Sequence, residues 1–136
     1  MARLTKKPTE FLTRARVVRV ATADGRGIPH VVPVCPVFAD GRLYFGSSND
    51  ARKVQNLRAN PQITVVADDY TEAWDGLRGV MVTGKASLHA RGPKFRKARQ
   101  LLYEKFPQYE AQAALGVGDS VVIEVTPTRV FAWGFE

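Results

Sequence analysis

Cysteine is almost absent from this sequence. The one thiol, Cys35, can form no internal disulfide and supplies no Cys-rich zinc cage, which excludes secreted disulfide scaffolds and zinc modules. Histidine is scarce too: His30 and His89 are separated by most of the chain, and neither has a carboxylate at metal-ligand spacing, so no metal site is expected. No apolar run approaches the roughly 18 residues of a membrane helix. The first twenty residues alternate charge with apolar character rather than presenting an unbroken apolar stretch. A cytoplasmic protein without a membrane partner is the expectation. Several enzyme signatures are also missing: the Gly-x-Ser-x-Gly elbow, the phosphate-binding P-loop, the Gly-x-Gly-x-x-Gly turn and the His-Glu-x-x-His helix. A catalytic role would therefore borrow its reactive chemistry from a cofactor.

Negative charge is in the minority, with 13 Asp and Glu against 20 Lys and Arg, a formal charge of +7. The excess sits in residues 1–20 and 91–105, each with six cations and one carboxylate. Such a surface attracts anions. Nucleic acid is not the expected partner, because the chain has no aromatic-rich RNA-recognition signature, Gly-rich KH loop or zinc-finger spacing. The 136 residues, 45% of them hydrophobic, fit one domain spanning 1–136.

Hydrophobic periodicity and turn chemistry give the element order. Pro8 opens a short helix ending near Ala15, and residues 16–22 read as a strand. Asp24-Gly25-Arg26-Gly27 turns into an extended run over 28–38, and Asp40-Gly41 joins that run to a strand over 42–47. Ser48, Asn49 and Asp50 offer N-caps for a helix over 51–59 with Val54 and Leu57 as its apolar seam, ended by Asn60-Pro61. Strands over 62–68 and 78–89 follow. Gly92-Pro93 opens an amphipathic helix whose Phe95, Ala98, Leu102 and Phe106 form one stripe. A short helix over 109–115 precedes a final strand, 120–126 and 129–133, interrupted by Pro127. Six strands joined mostly by hairpins are antiparallel, and a small barrel with helical insertions is the economical closure.

Two local contradictions point to a site. Arg52 and Lys53 occupy the first turn of the 51–59 helix, where the dipole already presents positive charge. With free amides there and the hydroxyls of Ser47 and Ser48 nearby, the pair describes a phosphate site; neutralisation by Asp50 is the alternative. The run over 28–38 carries Pro29, Pro33 and Pro36, so it must lie at an edge or bulge. Backbone groups at Val32 and Val34 are then free to face a flat heteroaromatic ring, unless the prolines merely block aggregation. Cys35 reads as a small buried apolar residue.

Together these segments resemble a known family. Arg16-Val-Val-Arg-Val-Ala-Thr-Ala-Asp-Gly with Gly27-x-Pro29-His30, then Asp40-Gly41-Arg42-Leu43-Tyr44-Phe45, then Ala51-Arg52-Lys53-Val54-x-Asn56-Leu57-x-x-Asn60-Pro61 look like the pyridoxamine 5′-phosphate oxidase-like split barrels. Gly79-Val80-Met81-Val82-Thr83-Gly84-Lys85-Ala86 and Pro127-Thr128-Arg129-Val130-Phe131-Ala132-Trp133-Gly134 extend the match over nearly the whole chain. Size and basicity resemble the branch of coenzyme F420-dependent (deazaflavin) oxidoreductases.

The resemblance implies a mainly β, α+β fold, a six-stranded antiparallel split barrel. It also implies a homodimer with a cofactor in each of two clefts between subunits. By analogy Lys53 with Arg52 would hold the cofactor phosphate, supported by Ser47 and Ser48. The Val32-Pro33-Val34 backbone would face the ring, with Arg78 and Trp133 as second-side contacts. The implied activity is hydride transfer from reduced F420 to an unsaturated organic substrate, with no catalytic side chain identified. FMN is the alternative cofactor, and a non-catalytic flavin- or haem-binding module, with His30 or His89 as axial ligand, is the alternative role. Members that oxidise the vitamin B6 phosphate usually carry Arg and Lys in the second strand, where this chain has Val31, Val32 and Val34; that argues against pyridoxamine phosphate oxidation.

Overall fold

A computed structural model describes residues 2–135; Met1 and Glu136, the ends of the expected domain, lie outside the described residues. In chain order the elements are α1 (Lys6–Arg14), β1 (Val18–Ala23), β2 (Pro29–Val34), β3 (Val37–Ala39), β4 (Arg42–Ser48), α2 (Arg52–Ala59), β5 (Gln62–Asp69), β6 (Arg78–His89), α3 (Pro93–Lys105), α4 (Gln108–Gln112) and β7 (Ser120–Trp133). The strands form one sheet in the order β2-β1-β5-β6-β7-β4-β3, with every neighbouring pair antiparallel. The sheet curls into a half-barrel, as a split barrel requires.

Seven strands stand where six were expected. The run over 28–38 breaks at Cys35-Pro36, and its two halves occupy opposite edges of the sheet. Two residues can join opposite edges only if the sheet is curled enough to bring them together. Pro36 lacks the N–H that a continuing ladder would use, so the break falls where the barrel splits. Lys105 Nζ at the end of α3 fixes this crossing by donating to the carbonyls of Ala15 and Pro36 at 2.6 and 2.9 Å. Cys35 is only partly buried there, and its carbonyl accepts from Tyr109 Oη at 2.9 Å.

Pro127 does not interrupt the last strand. Gly84 pairs with Pro127 and Thr83 with Arg129, so Thr128 is the extra residue of a β-bulge that takes up the missing donor. Gly84 is required at this point, since a Cβ would overlap the Thr126 carbonyl oxygen.

Alternation explains the core. Val18, Val20, Ile63, Val65, Val80, Val82, Val121, Ile123 and Val125 point into the half-barrel and meet Leu12 of α1 and Val54 and Leu57 of α2. Each such side chain contributes about 1.5–3 kcal/mol on burial. The other face of β7 turns Val122 toward Phe95, Ala98 and Leu102, the expected stripe of α3. Glu124 lies on that face, almost fully buried. Its Oε1 meets His89 Nε2 at 3.0 Å and Lys94 Nζ at 3.3 Å, and its Oε2 accepts from Tyr44 Oη at 2.9 Å. Burial opposes ionisation, but the hydrogen bonds from His89, Tyr44 and Lys94 outweigh it and hold the carboxyl below its ordinary value.

Candidate anion site at the start of helix α2

The start of α2 is not capped as the sequence suggested. Ala51, not Ser48, Asn49 or Asp50, is the N-cap residue, and no side chain bonds the first amides. The Val54 and Gln55 amides reach back to the Ala51 carbonyl at 3.0 and 3.1 Å, which leaves those of Arg52 and Lys53 without an acceptor among the described residues. No acidic residue lies in this turn. Asp50 makes no ion pair with either cation among the described residues; its Oδ1 accepts from Ser48 Oγ at 2.8 Å. Ser47 is buried and its hydroxyl donates to the Ser48 carbonyl at 3.0 Å, so both serine protons are spent within the turn.

Lys53 is half-buried and makes no hydrogen bond or ion pair among the described residues; burial alone pushes its ammonium pKa down. Arg52 is exposed, and the carboxylate that feels its charge is Asp24, in the β1–β2 turn. Backbone N–H groups of Ile28 and Arg26 donate to Asp24 Oδ1 at 3.0 and 2.8 Å. Those bonds, with a smaller contribution from Arg52, hold Asp24 below the usual carboxylate range. Two backbone donors thus fix a carboxylate beside Arg52, while Lys53 keeps no acidic partner.

Helix α2 is held here from below. Asn56 is buried and its Nδ2 donates to Thr22 Oγ1 of β1 at 3.0 Å. His30 stands opposite Thr22 in the ladder and hence on the same face; its Nδ1 is buried without a partner among the described residues.

The remaining expected site residues fall elsewhere. β2 is an edge strand bordered only by β1, with Val32 and Val34 turned toward the core and Pro33 exposed on the opposite face, across from Arg19. Arg78 and Trp133 sit together at the adjoining ends of β6 and β7. Arg78 binds Asp69 Oδ2 through Nε and Nη2 at 3.2 and 3.1 Å, and its guanidinium lies 4.9 Å above the Phe11 ring. The Trp133 indole covers Gly79, and its Nε1 donates to Tyr70 Oη at 3.2 Å. The chain therefore gathers Ser47, Ser48, Arg52 and Lys53 in one place and Arg78 with Trp133 in another. Sequence reading missed Asp24, Thr22 and Asn56. Asp24-Gly25 signalled only a turn, and an Asn inside a helix carries no sign of its strand partner.

Among the described residues no cluster of metal-ligating side chains occurs, and no helix is long and apolar enough to cross a membrane.

A curled antiparallel half-barrel with an uncapped, cation-bearing helix start defines a split-barrel protein with a candidate anion site. The chain matches the family model described as pyridoxamine 5′-phosphate oxidase over residues 4–134 and belongs to that family. No curated protein sequence matches it significantly. Among solved structures, a conserved hypothetical protein from Mycobacterium tuberculosis is 19% identical with a TM-score of 0.80, over 96% of this chain and 85% of that one. The haem storage protein HutZ of Vibrio cholerae is 20% identical with a TM-score of 0.80, over 96% and 94%. An FAD-binding protein from Mesorhizobium loti is 24% identical with a TM-score of 0.75, over 95% and 94%. At these identities the likeness is one of fold.

Proposed function

We propose that the start of α2 holds the phosphate of a flavin-type redox cofactor, and that the protein is a cytoplasmic oxidoreductase reducing a small unsaturated organic substrate. The observation that carries this reading is the half-buried Lys53 ammonium, without a carboxylate partner, on a helix start whose first two amides are also free. A phosphate would satisfy all three at once. Family membership and the FAD-binding relative support a flavin-type ring. Coenzyme F420 is the reading we favour over FMN, since its tail bears phosphate and several glutamates and the basic segment over 1–20 offers that tail a landing surface.

Such a cofactor supplies a ring that exchanges hydride. The protein's own share is placement: Lys53 and the free amides anchor the phosphate, and the edge of β2, at Val32, Pro33 and Val34, offers backbone groups to the ring. The outer face of the sheet exposes Val31 and Phe131, with Tyr70 and Trp74 beyond. This favours a homodimer in which that face meets a second copy and Arg78 and Trp133 approach the cofactor from the partner's side.

Absorbance titration of the purified protein with F420, FMN and haem tests the reading. Saturable binding of a flavin-type ligand, weakened by Lys53→Ala, is the expected result. Binding of haem alone, or flavin-type binding indifferent to Lys53→Ala, would overturn it.

A further inference from the structure

A cavity of about 690 Å³ opens between α1, the start of β1 and the adjoining ends of β5 and β6, at the opposite end of β1 from Lys53. From Arg19, in its wall, to Asp24, beside Arg52, is five residues of extended chain, about 17 Å at the strand rise. Five cations and three carboxylates line it. Two of those carboxylates are already engaged, Asp68 by Arg19 at 3.2 Å and Asp69 by Arg78 at 3.1 Å. Arg14 and Arg16 also line the cavity and have no carboxylate partner among the described residues, though the Arg16 guanidinium lies 4.7 Å from the Phe106 ring.

The same cavity has an aromatic wall. Phe11 and Phe135 meet edge to face with centroids 5.4 Å apart, and the Arg78 guanidinium lies over both rings. Guanidinium groups without a carboxylate partner, beside aromatic rings, suit one chemical class. We infer that this cavity binds an aromatic or conjugated organic carboxylate, its planar body against Phe11 and Phe135 and its carboxylate on Arg14 and Arg16. That this molecule is the acceptor of the proposed hydride transfer rests on the reading of the Lys53 site; that it binds here does not.

Cinnamate, its neutral isostere cinnamamide, and inorganic phosphate separate the possibilities when titrated into the protein with amide NMR shifts as the readout. Cinnamate should move the Ala15 and Gly134 amides saturably at millimolar concentrations, and cinnamamide should bind at least about tenfold more weakly. Arg14→Gln, on the exposed end of α1, should weaken cinnamate binding about tenfold, and Arg16→Gln similarly. Lys53→Ala should leave it unchanged, which separates failure at this cavity from failure at the helix start. Equal binding of acid and amide, displacement by phosphate at the same concentration, or no shift at Ala15 and Gly134 would each overturn the inference.

Discussion

Asn56 of α2 donates to the hydroxyl of Thr22 on β1 at 3.0 Å, with both side chains buried. That bond sets how α2, and with it the Arg52-Lys53 turn, sits on the sheet. Asn56→Ala strands the Thr22 hydroxyl and removes a buried contact. A loss of about 1–3 kcal/mol is expected in denaturant unfolding. Thr22→Val combined with Asn56→Ala should cost less than the sum of the two single changes, as a double-mutant cycle would show.

Lys53→Ala should weaken a phosphate-bearing flavin-type ligand by about 1.5–3 kcal/mol. It should not destabilise the unliganded protein. Burial lowers the ammonium pKa in the fold below its unfolded value of 10.5, so the unfolded chain holds that proton more tightly. The resulting penalty is present at neutral pH and relieved as pH rises through the folded pKa toward the unfolded one. Urea midpoints of wild type and variant, compared at neutral and alkaline pH, should converge at the alkaline end.

Glu124 gives a slope of the same sign, in the acid range. Its carboxyl is held below the ordinary value of 4.5, so its contribution to stability is complete above that value and lost as pH falls through the folded pKa. Glu124→Ala removes the shared partner of His89, Tyr44 and Lys94 and should cost about 1–3 kcal/mol at neutral pH, since Lys94 is itself exposed to water. The variant's stability should also fall less steeply than that of wild type below pH 4.5, by acid titration of unfolding. Tyr44 stays a neutral donor throughout, because burial and the bond to Glu124 push its pKa up to about 12.

Gly79→Ala tests the setting of Trp133. A methyl group there would overlap the indole, so the ring must leave its seat over β6 and lose Tyr70. About 1–3 kcal/mol of destabilisation is expected from this overpacking. Tryptophan emission should change with it, since the other indole, Trp74, is already 80% exposed.

What local chemistry governs was readable from the residues in order. β6 falls on Arg78–His89 because one parity is apolar over its length, and the α3 stripe of Phe95, Ala98 and Leu102 is buried because helical spacing puts those residues on one side. Arg52 and Lys53 opening a helix showed an electrostatic contradiction before any partner was known. The curling of the sheet decided the rest. It set the chain break at Cys35-Pro36, the bulge that carries Pro127, the Asp24 carboxylate beside Arg52, and the cavity joining α1 to Arg19 and Arg78. Each of these depends on which strands become neighbours and how far the sheet bends. Contacts between residues distant in the chain arise from that closure and leave no periodic trace in the sequence.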